Sequence, residues 1–245
     1  MRVMITGAGG SIGGALCRKL HEQGHDLVLF EQSEYALYQI NKETGGKHRA
    51  VLGDVKDQSR LLEFMDGVEA IFHCAAYKHV PMCEAHNAEV AYKNNVEGTK
   101  SVLEAGKSAK SIVLLSTDKA INPLSVMGKT KLDAEKLTLD YGRTIGRLGN
   151  ILESSGSVIP LFREQIAQGG PVTVTHPETT RYFIEMDNAV DFLIDCSKRD
   201  SGEYQIDMGE PRKILDIAKE MIGDKDIEIK FIGLRPGEKL HEDIN

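Results

Sequence analysis

Three glycines at intervals of three residues follow the first apolar run of the chain. Gly7, Gly10 and Gly13 stand in the segment TGAGGSIG, between an apolar run over 2–6 and an amphipathic stretch over 11–23. Glycine permits the positive φ of a tight turn, and the missing Cβ lets phosphate oxygens approach the backbone N–H groups. The N-terminus of the following helix adds unpaired donors and a partial positive charge. The segment therefore predicts a strand–turn–helix unit that binds a dinucleotide.

The second predicted strand ends in an acidic residue, Glu31, which lies 24 residues after the first glycine of the series. A carboxylate near this offset (about 20 residues) accepts hydrogen bonds from the ribose of a bound dinucleotide. It also repels a 2′-phosphate, so the sequence favours NAD over NADP. Ser11 and Ile12, in the first helical turn, are further expected contacts. Asp54 and Val55 follow the third predicted strand, where an adenine contact and a solvated loop are equally good interpretations.

Short runs rich in Val, Ile and Leu alternate with longer amphipathic stretches over the first 150 residues. Runs that are apolar on both faces are typical of parallel strands covered by helices on each side. The pattern predicts an α/β fold, a Rossmann-like doubly wound parallel sheet. Predicted strands are 2–6, 26–30, 49–52, 70–73, 111–116 and 144–148, and predicted helices are 11–23, 33–42, 57–65, 84–107 and 125–140.

The alternation changes after residue 150, where shorter elements follow one another. We expect residues 1–150 to form the dinucleotide-binding Rossmann core and residues 151–245 a smaller C-terminal α/β substrate-binding lobe. The lobe is expected to pack on the carboxyl edge of the sheet, with a soft, interleaved boundary, rather than to fold by itself.

Composition excludes several classes of protein. Thirty basic and 37 acidic residues give a net charge of −7, whereas nucleic-acid binders usually carry a basic excess. No apolar run approaches the roughly 18 residues of a membrane span, and the start MRVMITGAGG does not resemble a signal peptide. The four cysteines lack CxxC spacing, which fits a reducing compartment. We therefore expect a cytoplasmic protein.

The segment HEQGH over residues 21–25 matches the zinc motif HExxH letter for letter. That motif requires both histidines on one face of a continuous helix. Gly24 is a natural helix end, and His25 leads into the second predicted strand. We therefore expect no metal to be held by His21 and His25.

The fifth predicted strand ends in Thr117, Asp118 and Lys119. Ligands of open α/β sheets bind at the carboxyl ends of strands, so these residues are expected to face the same cleft as the glycine turn. An adjacent Asp and Lys form either a surface ion pair or an acid and a base whose pKa values burial moves apart. On the following helix, Met127 and Lys131 share one face at a spacing of four residues.

Six segments together resemble the nucleotide-sugar 4,6-dehydratases of the extended short-chain dehydrogenase/reductase superfamily, and most closely those that act on UDP-N-acetylglucosamine in polysaccharide biosynthesis. They cover almost the whole chain in the right order: HCAAYKHVPMCE, KNNVEGTKSV, LLSTDKAINPLSVMGKTKLDAEKL, RLGNILESSGSVIPLF, VTVTHPETTRYF and LRPGEKLHE. In this superfamily a tyrosine usually stands four residues before the helix lysine. Met127 takes that place here, as it does in the branch that retains configuration at C5.

The resemblance implies a lyase that binds NAD tightly and recycles it in each turnover. The sugar is oxidised at C4, water is lost across C5 and C6, and hydride returns to C6. By family position, Asp118 protonates the departing C6 hydroxyl and Lys119 exchanges the C5 proton. Thr117 hydrogen-bonds the C4 oxygen, with Asp118 or a water accepting its proton. Lys131 holds the nicotinamide ribose, and Ala75 also faces the cofactor.

A UDP-sugar carries a charged diphosphate, so local cations must offset the negative net charge. For each cation, plain solvation is the alternative; the motif setting favours a role for Arg181 and Arg235. The substrate contacts implied by the resemblance are Lys78, Met127, Asn150, Ser157, Arg181, Arg235 and Lys239.

Glu153 departs from the family pattern, which has a glycine before SSGSV, and we expect its carboxylate near the substrate channel. The chain also lacks the membrane-spanning N-terminal region of many retaining members, and a homodimer is one assembly that the resemblance allows. Two other functions stay open. A nucleotide-sugar 4-epimerase would require the missing tyrosine, and a non-catalytic NAD-binding regulator would have no need of the Thr-Asp-Lys group.

Overall fold

The computed structural model of the chain describes residues 1–244, and strands alternate with helices along its first 150 residues, as the sequence predicts. The strands are β1 (Arg2–Thr6), β2 (Asp26–Glu31), β3 (Arg49–Leu52), β4 (Val68–His73), β5 (Ser111–Thr117), β6 (Thr144–Leu148), β7 (Asn150–Ile151), β8 (Val172–Val174), β9 (Thr180–Arg181), β10 (Phe183–Ile184), β11 (Gly202–Gln205), β12 (Arg212–Lys213) and β13 (Ile229–Phe231). The helices are α1 (Ser11–Glu22), α2 (Glu34–Glu43), α3 (Gln58–Leu62), α4 (Val80–Cys83), α5 (Ala88–Tyr92), α6 (Gly98–Ala105), α7 (Val126–Asp140), α8 (Val158–Ala167), α9 (Met186–Cys196) and α10 (Ile214–Ile222).

Within residues 1–244, seven parallel strands form the main sheet in the order β11-β6-β5-β4-β1-β2-β3. Alternate residues of one strand enter different cores, because successive side chains point to opposite faces of a sheet. In β1, Val3 and Ile5 belong to the core on one face, and Met4 belongs to the core on the other. The predicted Rossmann-like doubly wound sheet is confirmed. Strand order reverses between β1 and β4, where such sheets open a crevice for ligands at their carboxyl edge.

The chain after residue 150 returns to the main sheet before it completes a smaller lobe. Strand β11 pairs with β6 at the edge of the sheet, and α9 packs against α1 and β6. The lobe has its own apolar core around Phe162, where α8 and α10 cover the paired strands β8 and β13. The lobe is therefore interleaved with the sheet. No helix within residues 1–244 is both long enough and apolar enough to cross a bilayer.

The helix predicted over 84–107 begins later in the structure, where helical backbone runs without interruption from Ala88 to Ala105. Ala85 has a positive φ of 50°, which no α-helix contains, and a π-helical turn over Lys93–Glu97 joins α5 to α6. The side chain of Asn95, in that turn, accepts a hydrogen bond from the backbone N–H of Tyr77 (2.8 Å) and donates one to its carbonyl (3.0 Å). The π-helical turn thus anchors the loop after β4, which lines the cleft.

Candidate active site

The glycine turn brings β1, α1 and the end of β4 closer together than side chains would allow. Gly7 has a φ of +66°, and a Cβ there would lie 2.8 Å from the backbone of Ala75. A Cβ on Gly13 would lie 2.1 Å from the carbonyl oxygen of Gly7. Together with Glu31, Val55 and other residues, the turn lines a depression that we call the glycine-turn pocket. Gly7, Gly10, Glu31, Val55 and Ala75 of the predicted cofactor contacts line it.

Helix α1 begins without a capping side chain. Gly10 occupies its N-cap position, and its first turn contains no acidic residue. By contrast, the Ser33 side chain caps α2 by accepting a hydrogen bond from the backbone N–H of Ala36. An uncapped helix N-terminus keeps donors and a partial positive charge available to an anion. The start of α1 therefore suits a phosphate group.

Glu31 braces the glycine turn from the end of β2. Its two carboxylate oxygens accept hydrogen bonds from the backbone N–H groups of Gly9 and Ser33, each at 3.0 Å. Each oxygen keeps a further lone pair for a ligand hydroxyl. Asp54, in contrast, accepts a hydrogen bond from the N–H of Lys56 and pairs with its amine, and it does not line the glycine-turn pocket.

His73, at the end of β4, is a buried residue that the sequence interpretation missed. Its Nδ1 lies 2.7 Å from Thr6 Oγ1, and its Nε2 lies 3.0 Å from Thr99 Oγ1. Burial, reinforced by the nearby Lys131 amine, lowers the pKa of His73 to about 3. The neutral ring therefore ties β1, β4 and α6 together beneath the crevice.

The central pocket, lined by residues from the ends of β4, β5 and β6 and by α7, adjoins the glycine-turn pocket, and Cys74 and Ala76 border both. Lys131 borders the central pocket, is buried, and donates a 2.5 Å hydrogen bond to the carbonyl of Leu115. Burial lowers the pKa of Lys131 to about 8, against the opposing effect of the Glu135 carboxylate. Met127, one helical turn earlier, also borders the pocket, where its side chain offers no proton donor.

Thr117, Asp118 and Lys119 form one hydrogen-bonded cluster. Asp118 Oδ1 accepts hydrogen bonds from Thr117 Oγ1 (2.8 Å) and from Lys119 Nζ (2.9 Å). Asp118 has no exposed surface and does not border the central pocket, whereas the other two residues do. Its second oxygen has no hydrogen-bond partner within residues 1–244. The Asp118 carboxyl therefore reaches the pocket through its two neighbours and not by direct contact.

Asn150 and Ser157 border the same pocket. Asn150 Oδ1 accepts a 2.9 Å hydrogen bond from Lys119 Nζ, so this predicted substrate contact also fixes the amine. The buried hydroxyl of Ser157 has no partner within the described chain. Ser116 Oγ, at the end of β5, is also buried without a hydrogen-bond partner in the described chain. The sequence analysis assigns Ser116 no role.

The predicted diphosphate contacts border a third cavity, the basic pocket, which Lys78, Lys119, Arg181, Arg235 and Lys239 line. Among residues 1–244, the Arg235 side chain is exposed and pairs with no carboxylate. Partial burial lowers the pKa of Lys78, whose amine donates to the carbonyl of Ser155 at 2.8 Å.

Two of these cations already have protein partners. Arg181 is buried and donates four hydrogen bonds to the described chain, three to backbone carbonyls and one to Glu238. Lys239 donates to the carbonyl of Ile121 (2.7 Å) and pairs with Asp243 (2.8 Å). Arg181 and Lys239 therefore stabilise the C-terminal segment through these contacts and are not free to bind a phosphate.

The expected place of Glu153 is wrong. Its φ of 58° lies in the left-handed region, and its exposed carboxylate pairs with Arg163 of α8 at 2.7 Å instead of bordering the central pocket. A positive φ also explains why glycine suits this position.

The HEQGH segment is divided as predicted. Helix α1 ends at Glu22, Gly24 has a φ of 77°, and His21 Nδ1 lies 2.9 Å from His48 Nε2 rather than beside His25. Among residues 1–244, no three histidine, cysteine or acidic side chains converge in a way that would hold a metal ion.

In a comparison with known protein families, residues 3–245 match the family described as polysaccharide biosynthesis protein. The chain belongs to this family. The predicted likeness to the nucleotide-sugar 4,6-dehydratases is confirmed by a relative of that name that is 33% identical over 98% of this chain.

Named relatives of this family member differ in activity. The probable polysaccharide biosynthesis protein EpsC of Bacillus subtilis (strain 168) is 41% identical over 99% of this chain and 44% of its own length. The chain thus spans less than half of EpsC. UDP-glucose 4-epimerase of Rickettsia rickettsii (strain Sheila Smith) is 34% identical, over 99% of this chain and 76% of its own length. The inverting UDP-N-acetylglucosamine 4,6-dehydratase of Campylobacter jejuni (serotype O:23/36, strain 81-176) is 33% identical, over 98% and 76%.

Solved structures share the fold. The X-ray structure of Pen from Bacillus thuringiensis superposes with a TM-score of 0.94 at 30% identity, over 99% of this chain and 82% of Pen. DesIV, a dTDP-glucose 4,6-dehydratase from Streptomyces venezuelae with NAD bound, gives a TM-score of 0.88 at 21% identity, over 100% and 88%.

Proposed function

We propose that this family member is an NAD-dependent nucleotide-sugar 4,6-dehydratase that converts UDP-N-acetylglucosamine to a UDP-4-keto-6-deoxy-N-acetylhexosamine. The observation that carries the proposal is the single carboxylate oxygen of Asp118, which accepts hydrogen bonds from both Thr117 and Lys119 at the edge of the central pocket. An alcohol oxidation coupled to loss of water needs both a proton acceptor and a proton donor, and this cluster supplies them without a tyrosine.

The glycine-turn pocket fits a dinucleotide. A Cβ at Gly7 or Gly13 would collide with backbone, and the uncapped start of α1 faces the turn. We assign the ribose hydroxyls nearest the adenine to Glu31 and those of the nicotinamide ribose to Lys131. Bound NAD supplies a hydride acceptor for C4 and the hydride that returns to C6; tight retention and recycling are part of the proposal.

The proton of the sugar C4 hydroxyl has a path into the protein. Thr117 accepts it by hydrogen bonding to the C4 oxygen, while its own hydroxyl proton passes to Asp118 Oδ1 over 2.8 Å. Protonated Asp118 then holds the proton that the departing C6 hydroxyl needs to leave as water. Since Asp118 does not border the pocket, that proton returns through Thr117 or Lys119.

Lys119 acts on C5. Once C4 is a ketone, the C5 proton is acidic, and the Lys119 amine removes it and later returns a proton to C5 from the same face. We therefore propose retention at C5. Met127 has no proton to give, so proton transfer at C5 falls to Lys119.

The basic pocket receives the diphosphate. Arg235 and Lys78 line this pocket with exposed side chains. Ser157 and Asn150 line the central pocket, where we place the sugar. Arginine suits the basic pocket because its planar fork binds two phosphate oxygens at once.

One assay tests the proposal. The purified chain is incubated with NAD and UDP-N-acetylglucosamine, and the mass of the sugar nucleotide is followed. We expect the loss of one water. An isomer of unchanged mass indicates the 4-epimerase, and unchanged substrate with bound NAD indicates a regulator; either result overturns the dehydratase. Lys119→Met is expected to abolish turnover while NAD stays bound.

A further inference from the structure

Glu242, in the segment after the last strand, places a buried carboxylate between two cations. Its Oε1 lies 3.5 Å from Lys119 Nζ and 3.6 Å from Arg181 Nε, and its side chain is only 3% exposed. Its Oε2 has no hydrogen-bond partner within residues 1–244. A carboxylate removed from water to this extent is costly unless opposite charges compensate it. The two cations are therefore what keeps this carboxylate in place.

These contacts form a row of alternating charges. Asp118 contacts Lys119, Lys119 contacts Glu242, Glu242 contacts Arg181, and Arg181 contacts Glu238 at 3.2 Å. The row connects the end of β5 with the C-terminal segment that also carries the basic-pocket cations. Within the described chain, Glu242 is the carboxylate that reaches Lys119 from outside its own turn.

We propose that Glu242 is a positioning residue that fixes the place of the Lys119 amine and sets the pH at which this amine loses its proton. For its catalytic meaning, this inference rests on the proposed function. Lys119 Nζ donates hydrogen bonds to Asp118 and Asn150, each at 2.9 Å, and Glu242 lies at ion-pair distance from the same amine. Two of the three are carboxylates, and opposite charges at this distance favour the charged amine.

The arrangement has a consequence during turnover. When Asp118 takes the C4 proton, it becomes neutral, and Glu242 is the carboxylate left beside Lys119. Glu242 then decides how readily the amine takes the C5 proton. Besides Glu242, the charged and titratable groups that line the two pockets with Lys119 are Cys74, Tyr77, Lys78, His79, Lys131, Arg181, Arg235, Glu238 and Lys239.

The test uses Glu242→Gln, which removes the charge and keeps the shape. The full chain is labelled with lysine that carries ¹³C at Cε, and the Lys119 signal, assigned with Lys119→Met, is titrated by NMR without substrate. We expect its midpoint to fall by about one pH unit. Glu238→Gln is the matched control, because Glu238 contacts Arg181 but is not paired with Lys119. Its midpoint should stay at the wild-type value.

Glu242→Asp keeps the charge and should bring the midpoint back toward that of the wild type. An unchanged midpoint in Glu242→Gln, or an equal shift in Glu238→Gln, overturns the proposal. If Glu242→Gln does not fold, Glu242→Asp replaces it, and a smaller shift in the same direction is required.

Turnover supplies an independent readout. The ascending limb of the kcat–pH profile should move in Glu242→Gln to lower pH by the same amount as the NMR midpoint. A raised KM with an unmoved limb would mean that Glu242 only braces the C-terminal segment. If the wild type itself shows no turnover, the proposed function fails, and the NMR titration still decides the role of Glu242.

Discussion

At the glycine turn, buried polar side chains are hydrogen-bonded to the protein itself, whereas two hydroxyls that line the central pocket are not. Beneath the crevice, His73 lies between two threonine hydroxyls. In the glycine-turn pocket, Glu31 accepts hydrogen bonds from two backbone N–H groups. The hydroxyls of Ser116 and Ser157, which line the central pocket, have no partner within residues 1–244, and neither does one oxygen of Asp118 behind that pocket.

Buried polar atoms without partners are rare in native proteins, and each calls for an explanation. Two of these atoms, the hydroxyls of Ser116 and Ser157, line the central pocket, and we expect them to complete their hydrogen bonding with a ligand. In the glycine-turn pocket, the Glu31 carboxylate already accepts hydrogen bonds from the protein, and we expect the pocket to bind the cofactor without rearrangement. The comparison predicts that substitutions around the central pocket alter catalysis and that substitutions in the glycine-turn pocket alter cofactor binding.

The largest expected effect is that of Asp118→Asn. The amide cannot take the proton that Thr117 passes on, so kcat should fall by about 10³-fold while NAD affinity stays unchanged. Turnover is followed by the loss of water from the sugar nucleotide. Asp133→Asn, at an exposed pair with Lys136 on α7, is the matched control. Residual activity above a tenth of the wild type would contradict the role of Asp118.

Gly13→Ala tests the glycine-turn pocket. The new Cβ would lie 2.1 Å from the carbonyl oxygen of Gly7, so the turn must move, and NAD affinity should fall on the order of 10²-fold. Calorimetric titration with NAD measures the change. Gly14→Ala is the control, since no atom lies closer to its Cβ than the flexible end of Arg18 at 3.4 Å, an ordinary van der Waals contact. Equal losses in both variants would refute the close approach of α1 to the turn.

Within the basic pocket, Arg235 and Arg181 should separate binding from stability. Arg235→Gln removes an accessible cation and should raise KM for the UDP-sugar by about tenfold with little change in kcat. Arg181→Gln removes a buried brace and should lower Tm by several degrees. Steady-state kinetics and thermal unfolding of both variants decide the matter, and a reversal of the two effects would exchange their roles.

The smallest expected effect concerns Lys131, whose pKa burial lowers from 10.5 to about 8. Between these values the unfolded chain binds more protons than the folded one, so the stability of the wild type should rise with pH. From pH 8 to pH 9.5 this contribution is at most about 2 kcal/mol. Lys131→Met should lack the rise. Urea unfolding of both proteins at the two pH values measures the difference, and parallel curves would show that burial does not shift this amine.

The sheet was predictable because apolar runs on both faces leave few other arrangements. The strands predicted over 2–6, 49–52 and 144–148 have the same bounds in the structure. The helix predicted over 84–107 was correct from Ala88 to Ala105, but its start was misplaced because the sequence pattern does not show the positive φ of Ala85. Nor does it show the π-helical turn at Asn95, whose side chain contacts Tyr77.

The residues at the candidate site were predictable as types but not as partners. Motif position indicates that Arg181 belongs to the substrate site and Lys119 to the catalytic cluster. It does not show that the donors of Arg181 are taken by backbone carbonyls, or that Glu242 lies beside Lys119. Glu242 stands within RPGEKLHE, so the signal was present, but its meaning depends on a contact between distant parts of the sequence. Likewise, the sequence does not show that the Glu153 carboxylate pairs with Arg163 and does not line the central pocket.

The central claim is that Thr117, Asp118 and Lys119 carry the proton work of a dehydration, and the reaction in heavy water tests it most directly. The product, returned to light water, should have lost one water and carry one deuterium at C5 with retained configuration, whereas C6 receives its hydrogen from C4 of the same sugar. A product with deuterium at C6, or with inverted C5, would contradict the account.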